Sequence, residues 1–211
     1  DILKFVGEYL NGKWNGKGKE FYIQGELKYE GEYLNGKWNG KGKEFYIHGV
    51  LKFEGEYLNG EKWNGKGKEY YDNYNLIFKS EYLNGKLKIK EYNFNYKLIF
   101  EGEYLDGKRN GKGKEYNYNG ELGFEGEYLN GKRNGNGKEY YYNGKLRFEG
   151  VYLNGKRNGN RKEYNYDGEL RFEGEYFNGK KWNGKGKEYN FEYSKLIFEG
   201  EYLNGERNGK G

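Results

Sequence analysis

The sequence is most informative over residues 27–49, which read LKYEGEYLNGKWNGKGKEFYIHG. In the first eight of these residues, Tyr29, Gly31 and Tyr33 alternate with charged side chains. A period of two is the signature of a β-strand that packs one of its faces. Two Asn-Gly pairs follow, and this dipeptide is a strong hairpin signal because both of its residues tolerate positive φ. The segment therefore begins with one strand followed by turn residues.

A second strand is predicted over residues 41–47, after the second Asn-Gly pair, Asn39-Gly40. His48-Gly49 then turns the chain into the next copy, and His48 is expected to be a solvated turn residue. Within this strand, Gly42 and Glu44 lie at even positions, whereas Phe45 and Ile47 lie at odd positions. In a regular strand, the glycine and the apolar residues would therefore face opposite sides of the sheet. A bulge near Glu44 would reconcile them. Each copy is thus predicted to be one β-hairpin.

The same pattern recurs along the whole chain, with 22 to 26 residues between equivalent tyrosines and about eight copies in total. In a repeat of this length, each copy is one supersecondary unit that buries its core against its neighbours. A glycine on the packed face lets an aromatic ring from the next strand lie against the backbone. The predicted structural core is the recurring tyrosine and the glycine two residues before it: Tyr9, Tyr33, Tyr57, Tyr82, Tyr104, Tyr128, Tyr152, Tyr176 and Tyr202, with Gly31, Gly55, Gly102, Gly126, Gly150 and Gly174.

The predicted fold is all-β and without helices, because frequent glycine costs about 1 kcal/mol per residue in a helix interior. Tandem hairpins should form an elongated, single-layer antiparallel sheet, twisted into a trough, with residues 1–211 as one array. The copy near residues 72–98 is irregular, since it is two residues short and lacks the second Asn-Gly pair. A kink, a bulge or a change of curvature is expected there. The missing initiating Met suggests a module of a longer chain.

Composition excludes several functional classes. The 211 residues include no Cys, which excludes disulfides and thiolate metal sites. They include a single His, which leaves almost no basis for Ser-His-Asp chemistry. An enzyme needs one distinguished set of groups, whereas this chain repeats nearly identical ones. We therefore predict no catalytic residue, no metal site and no cofactor. The net charge of +5 is a small excess over many balanced charges, and no nucleic-acid partner is expected.

The motif resembles that of the MORN repeat family, the membrane occupation and recognition nexus. Two copies carry its spacing clearly: Tyr29-x-Gly31-x-Tyr33-x-x-Gly36-x-x-x-Gly40-x-Gly42, and Phe124-x-Gly126-x-Tyr128-x-x-Gly131-x-x-x-Gly135-x-Gly137. The family's usual Trp is replaced by Tyr, and some copies also resemble a related bacterial variant. The resemblance implies an assembly module of the kind found in cytoskeletal, axonemal and membrane-junction proteins, several of which self-associate. It also implies a cytoplasmic location, with cytoskeletal or membrane association.

A column of large residues stands before the second Asn-Gly pair and includes all four Trp of the chain. Stacked copies would align this column along one edge, where Trp and Arg are the residues most enriched at binding hot spots. The alternative is that each side chain only covers its neighbour's hairpin. The candidate interaction edge consists of Trp14, Trp38, Trp63, Arg109, Arg133, Arg157, Trp182 and Arg207.

Charged residues form further columns. If Glu30 and Glu32 share a face with Lys41 and Lys43, they form Glu–Lys ladders between paired strands. Otherwise the lysines stand free as a cationic strip.

Two functions follow from these columns. The first is a scaffold that binds other, unidentified proteins and self-associates, as a dimer or end to end through unpaired sheet edges. The second is peripheral binding to anionic phospholipids or phosphoinositides through the Lys/Arg and Trp columns.

Overall fold

The structure is a computed structural model that describes residues 3–70, 76–189 and 196–208, with only the backbone described at 69–70 and 76–77. The described residues form strands and turns. They contain no helix, and hence none long and apolar enough to cross a membrane. The chain divides into two compact units, residues 1–98 and 99–211.

Unit 1 contains eight strands joined in sequence order. They are β1 Phe5–Leu10, β2 Lys13–Phe21, β3 Leu27–Leu34, β4 Lys37–Phe45, β5 Leu51–Leu58, β6 Glu61–Tyr70, β7 Leu76–Leu83 and β8 Lys86–Tyr92. Each strand pairs antiparallel with the next one along the chain.

Unit 2 contains ten strands with the same connectivity, the first of which starts one residue before the unit boundary. They are β9 Leu98–Leu105, β10 Lys108–Tyr116, β11 Leu122–Leu129, β12 Lys132–Tyr140, β13 Leu146–Leu153, β14 Lys156–Tyr164, β15 Leu170–Phe177, β16 Lys180–Tyr189, β17 Leu196–Leu203 and β18 Glu206–Asn208. Consecutive strands again pair antiparallel. The predicted all-β fold of tandem hairpins is confirmed, whereas the trough shape and the single array stay predictions.

The two Asn-Gly pairs of a copy have different roles, which the sequence analysis did not separate. Asn35 and Gly36, with φ of 52° and 82°, form the two-residue turn between β3 and β4. Asn39-Gly40 lies inside β4, where only the glycine has a positive φ. Gly31 pairs with Gly42 but Tyr33 pairs with Trp38, so β4 carries two extra residues. The second pair is therefore a bulge, and the second strand starts four residues earlier than predicted.

A register shift occurs at Glu44, where a bulge in the second strand was predicted, but the extra residue lies on the neighbouring strand. Glu44 pairs with Phe53, and Phe45 pairs with Leu51, so the extra residue at this register shift is Lys52 on the neighbouring strand β5. The same shift recurs where one copy joins the next, for example after Glu139. The shift lets the apolar residues at the strand ends pair with each other, as Phe45 does with Leu51.

The copy whose sequence is irregular has a more regular strand pairing than its neighbours. Phe78 pairs with Glu91 and Tyr82 with Leu87, with no register shift between β7 and β8. The two missing residues are those of the bulge, which is therefore absent between β7 and β8, whereas the shift that recurs between copies remains where β6 pairs with β7. The predicted kink or change of curvature stays a prediction. Residues 71–75, where part of the irregularity was predicted, lie outside the described residues.

The core is a row of aromatic rings on one face of the sheet, here named the aromatic face. Tyr57 packs edge-on against Phe53 of its own strand and against Tyr29 of the preceding copy, both at 5.3 Å between ring centroids. Tyr33, Tyr57, Tyr128, Tyr152, Tyr176 and Tyr202 are buried, and Tyr82 and Tyr104 are partly buried. Tyr9 was predicted as a core residue but is not one. It is 60% exposed, because among the described residues only the Phe5 ring of its own strand packs against it.

Glycines line up across the strands beneath these rings. Gly31 pairs with Gly18 on one side and with Gly42 on the other. A Cβ on Gly42 would lie only 2.1 Å from Tyr29 Oη, so a side chain there would displace the ring. The other predicted core glycines, Gly55, Gly102, Gly126, Gly150 and Gly174, lie in the equivalent rows of their units.

Candidate interaction surfaces

Most residues of the predicted Trp/Arg edge lie within the strands on the aromatic face. The Trp38 ring stacks on Tyr29 at 4.2 Å, and the Arg133 guanidinium lies 3.9 Å from the Phe124 ring centroid. Both residues thus cover the first aromatic ring of the preceding strand. This slot is occupied by Trp14, Trp38, Arg109, Arg133, Arg157 and Arg207.

Trp63 and Trp182 do not align with this column. Their copies carry one extra residue, and Lys62 and Lys181 pair with the core tyrosine in their place. Lys62 Nζ lies 4.8 Å from the Phe53 ring, and Lys181 occupies the equivalent position. Trp63 instead lies beside the following turn, where a Cβ on Gly85 would be 3.1 Å from its ring. The extra residue therefore displaces each Trp from the predicted edge.

Several slot residues also donate to a partly buried glutamate of the preceding copy. Trp38 Nε1 donates to Glu20 at 3.1 Å, and Arg157 Nη2 donates to Glu139 at 2.5 Å. In unit 2 the cations and carboxylates alternate in one continuous ladder. Its members are Arg109, Glu115, Arg133, Glu139, Arg157, Glu163 and Lys181. The cationic groups of this edge are therefore engaged inside the protein.

The ladder sets the protonation of its members. Burial alone would raise the pKa of Glu139, but hydrogen bonds from Arg157 and Tyr152 and the charge of Arg157 outweigh it, so that pKa is lowered. In a later copy, outside this ladder, burial and the hydrogen bond to Glu188 raise the pKa of Tyr202 to about 12. At neutral pH the carboxylate is ionised and accepts, while the phenol is protonated and donates.

The opposite face of the sheet, here named the charged face, carries the predicted Glu–Lys ladders. Lys19 lies 3.4 Å from Glu30, and Lys43 lies 3.3 Å from Glu54. In unit 1 this face forms an open groove of about 710 Å³. Its floor is glycine backbone, and its walls are lysines and glutamates in alternation: Lys17, Glu32, Lys41 and Glu56, and Lys19, Glu30, Lys43 and Glu54.

An apolar column, which was not predicted from the sequence, lies at the edge of the charged face. The residue before each Asn-Gly or Asp-Gly turn is exposed, and the residue after the turn pairs with it across the hairpin. In unit 2 these residues form the Leu/Lys stripe: Leu105, Leu129, Leu153 and Phe177, with Lys108, Lys132, Lys156 and Lys180, and it ends at Leu203, which pairs with Glu206. The recurring Leu-Asn-Gly-Lys in the sequence was the signal that could have identified it.

Comparison with known families identifies the repeat. The MORN repeat matches residues 5–26, 29–47, 100–121, 124–145, 148–160 and 198–211, which together make up more than half of the chain. The chain belongs to the MORN repeat family. No curated protein matches it. A solved structure entitled "Crystal Structure of TcdB2-TccC3-TEV" is similar at 13% identity and a TM-score of 0.26, over 82% of this chain and 12% of that one.

Arg161 departs from the MORN glycine pattern, and the fifth match ends one residue before it. It takes the place of glycine in the row, paired with Gly150 and Gly174, and is only 4% exposed. Its guanidinium lies 4.1 Å from the Tyr176 ring, and Nη1 has no hydrogen-bond partner among the described residues. Burial lowers the pKa of Arg161 to about 10, so it remains charged at neutral pH. This substitution was not predicted to matter, although the missing glycine is visible in the sequence.

The MORN repeat is a non-catalytic repeat type. Within residues 3–70, 76–189 and 196–208, no group of three or more His, Asp or Glu side chains could hold a metal ion. The second turn of each hairpin adds exposed aromatic residues that the sequence analysis also missed, namely Tyr118, Tyr142 and Tyr166 in unit 2.

Proposed function

We propose that this chain is a non-catalytic interaction module that binds other proteins and holds them in an assembly. The observation that carries the proposal is the groove on the charged face of unit 1. An open groove of about 710 Å³ is larger than single side chains require, and its lysines and glutamates offer hydrogen bonds and charges at regular spacing. Since its floor is backbone glycine, a bound segment could approach the sheet closely.

The arrangement of the arginines in the predicted Trp/Arg edge supports a protein partner over a membrane. Binding to anionic phospholipid was predicted through the Lys/Arg and Trp columns. Arg133 and Arg157, however, are each paired with two glutamates and stacked on a buried ring. Releasing them toward a membrane would leave partly buried carboxylates unpaired, which is costly.

The proposal is tested by comparing partner proteins retained by three forms of the whole chain. Lys19→Glu/Lys43→Glu reverses two groove charges, and Lys114→Glu/Lys162→Glu makes the same change at equivalent ion pairs of unit 2. Quantitative cross-linking in cell extract should find proteins held by the native chain and the unit 2 variant but lost from the groove variant. If the three forms retain the same proteins, or if only anionic vesicles bind, the proposal fails. Circular dichroism checks that each variant is folded.

Self-association is part of the same proposal. Exposed apolar side chains can pack against a second copy. Sedimentation velocity over a concentration series should show a rising sedimentation coefficient. A monomer at every concentration would remove this part and leave the groove proposal intact.

A further inference from the structure

The Leu/Lys stripe of unit 2 has a spacing and a charge that specify a partner. We propose that it docks an amphipathic α-helix of a partner protein, with apolar residues seven apart and an acidic residue midway between them. The inference rests on the proposed function, because it assumes that the chain binds proteins. It concerns a different surface from the groove of unit 1.

The register of the sheet fixes the spacing along the stripe. Leu129 pairs directly with Lys132, and Leu153 pairs with Lys156. Neighbouring strands lie about 4.8 Å apart, so apolar residues recur about every 9.6 Å with a lysine halfway between them.

An α-helix lying along the stripe has nearly the same repeat. At 1.5 Å per residue, positions i and i+7 are about 10.5 Å apart, and positions i+3 and i+4 lie on the same face between them. An extended strand fits less well, because residues three apart span about 10 Å but face opposite sides. A polyproline helix repeats every 9.3 Å or so, but no side chain on the same face falls midway. Only the helix therefore places one residue at each lysine.

The charge of the stripe requires an acidic helix. Lys108, Lys132, Lys156 and Lys180 are exposed and have no ion-pair partner among the described residues. Some lysines of the charged face differ in this respect, since Lys114 pairs with Glu125 and Lys162 pairs with Glu173. A second copy of the stripe is a poor occupant, because it would bring lysine against lysine.

The test uses the whole chain and two synthetic helical peptides of four heptads. The acidic peptide has Leu at one heptad position and Glu three residues later, and the basic peptide has Lys in place of Glu. The chain variant is Lys132→Glu/Lys156→Glu, and Lys114→Glu/Lys162→Glu, on the charged face, is the matched control. Binding is measured by fluorescence anisotropy at low and physiological salt.

The acidic peptide should bind the native chain and the control. It should lose at least ten-fold in affinity for the stripe variant, which should bind the basic peptide instead. Leu129→Asp/Leu153→Asp should abolish binding of the acidic peptide. Equal binding of the acidic peptide to all forms, or no binding to the native chain, would overturn the inference, as would binding of anionic vesicles alone. None of these outcomes changes the result of the cross-linking experiment on the unit 1 groove. The proposed function is therefore tested separately.

Discussion

Tryptophan and arginine perform the same two tasks in this repeat, at the scale of single residues. Trp38 stacks on a buried ring and donates to Glu20, and Arg133 stacks on Phe124 and donates to Glu115. Both side chains combine a flat surface with N–H donors, which explains why they alternate in one column. The sequence revealed the column but not this role, because the accepting glutamate lies 18 residues earlier.

Arg161 offers a test of how much the glycine row contributes. Arg161→Gly should raise the free energy of unfolding by about 1 kcal/mol or more, because it removes a buried charge with an unpaired donor. The matched change in the preceding copy, Gly137→Arg, should lower it by about 1–3 kcal/mol, since a Cβ there would lie 2.7 Å from the Phe124 ring. Urea unfolding of both variants measures the difference. A destabilised Arg161→Gly protein would mean that stacking on Tyr176 outweighs the buried charge.

Acid should weaken the ladder of unit 2. The pKa values of Glu115 and Glu139 are held below the usual 4.5, mainly by hydrogen bonds from Arg and Tyr that overcome the effect of burial. A lowered pKa stabilises the folded state above the unfolded-state value, and this stability is lost as pH falls through the folded-state value. The melting temperature should therefore drop below about pH 4.5. Glu139→Gln should melt lower at pH 7, and its curve should converge with that of the native chain in acid; parallel curves would contradict the assignment.

Bulges are the feature of single elements that the sequence predicted least well. The 24-residue repeat, the alternating strands and the shift near Glu44 were all predicted, because each follows from local periodicity. The role of Asn39-Gly40 was not, because a turn and a bulge can both use the positive φ of glycine. Pairing with the neighbouring strand decides between them. The predicted position of Trp63 was wrong because one inserted residue moves its side chain out of register with the neighbouring strand.

The bulge asparagine links one hairpin to the next turn. Asn134 Oδ1 accepts from the Asn154 backbone N–H at 3.2 Å, and the same contact recurs from Asn39 to Asn59. Asn134→Ala should lower the free energy of unfolding by about 1 kcal/mol and speed amide exchange at Asn154 several-fold. Asn136→Ala, at an exposed position two residues later, is the control and should change neither. Unchanged exchange at Asn154 in the first variant would show that the contact does not hold the turn.

In the repeat as a whole, the effect of a destabilising substitution should reach only the neighbouring copies. The buried Phe124 ring contacts Tyr128 of its own strand, Arg133 of the next strand and Tyr152 of the next copy. Phe124→Ala should lower stability by about 3–5 kcal/mol, because it leaves a cavity that only adjacent hairpins line.

Hydrogen exchange along unit 2 distinguishes local from global destabilisation. In Phe124→Ala, protection should be lost most in β11–β13 and least in β16 and β17. Leu129→Ala, an exposed residue on the same strand, should change the free energy of unfolding by less than about 0.5 kcal/mol. A uniform loss across β9–β17 would instead mean that unit 2 unfolds as one cooperative body. The copies would then not act as separate units joined only through their neighbours.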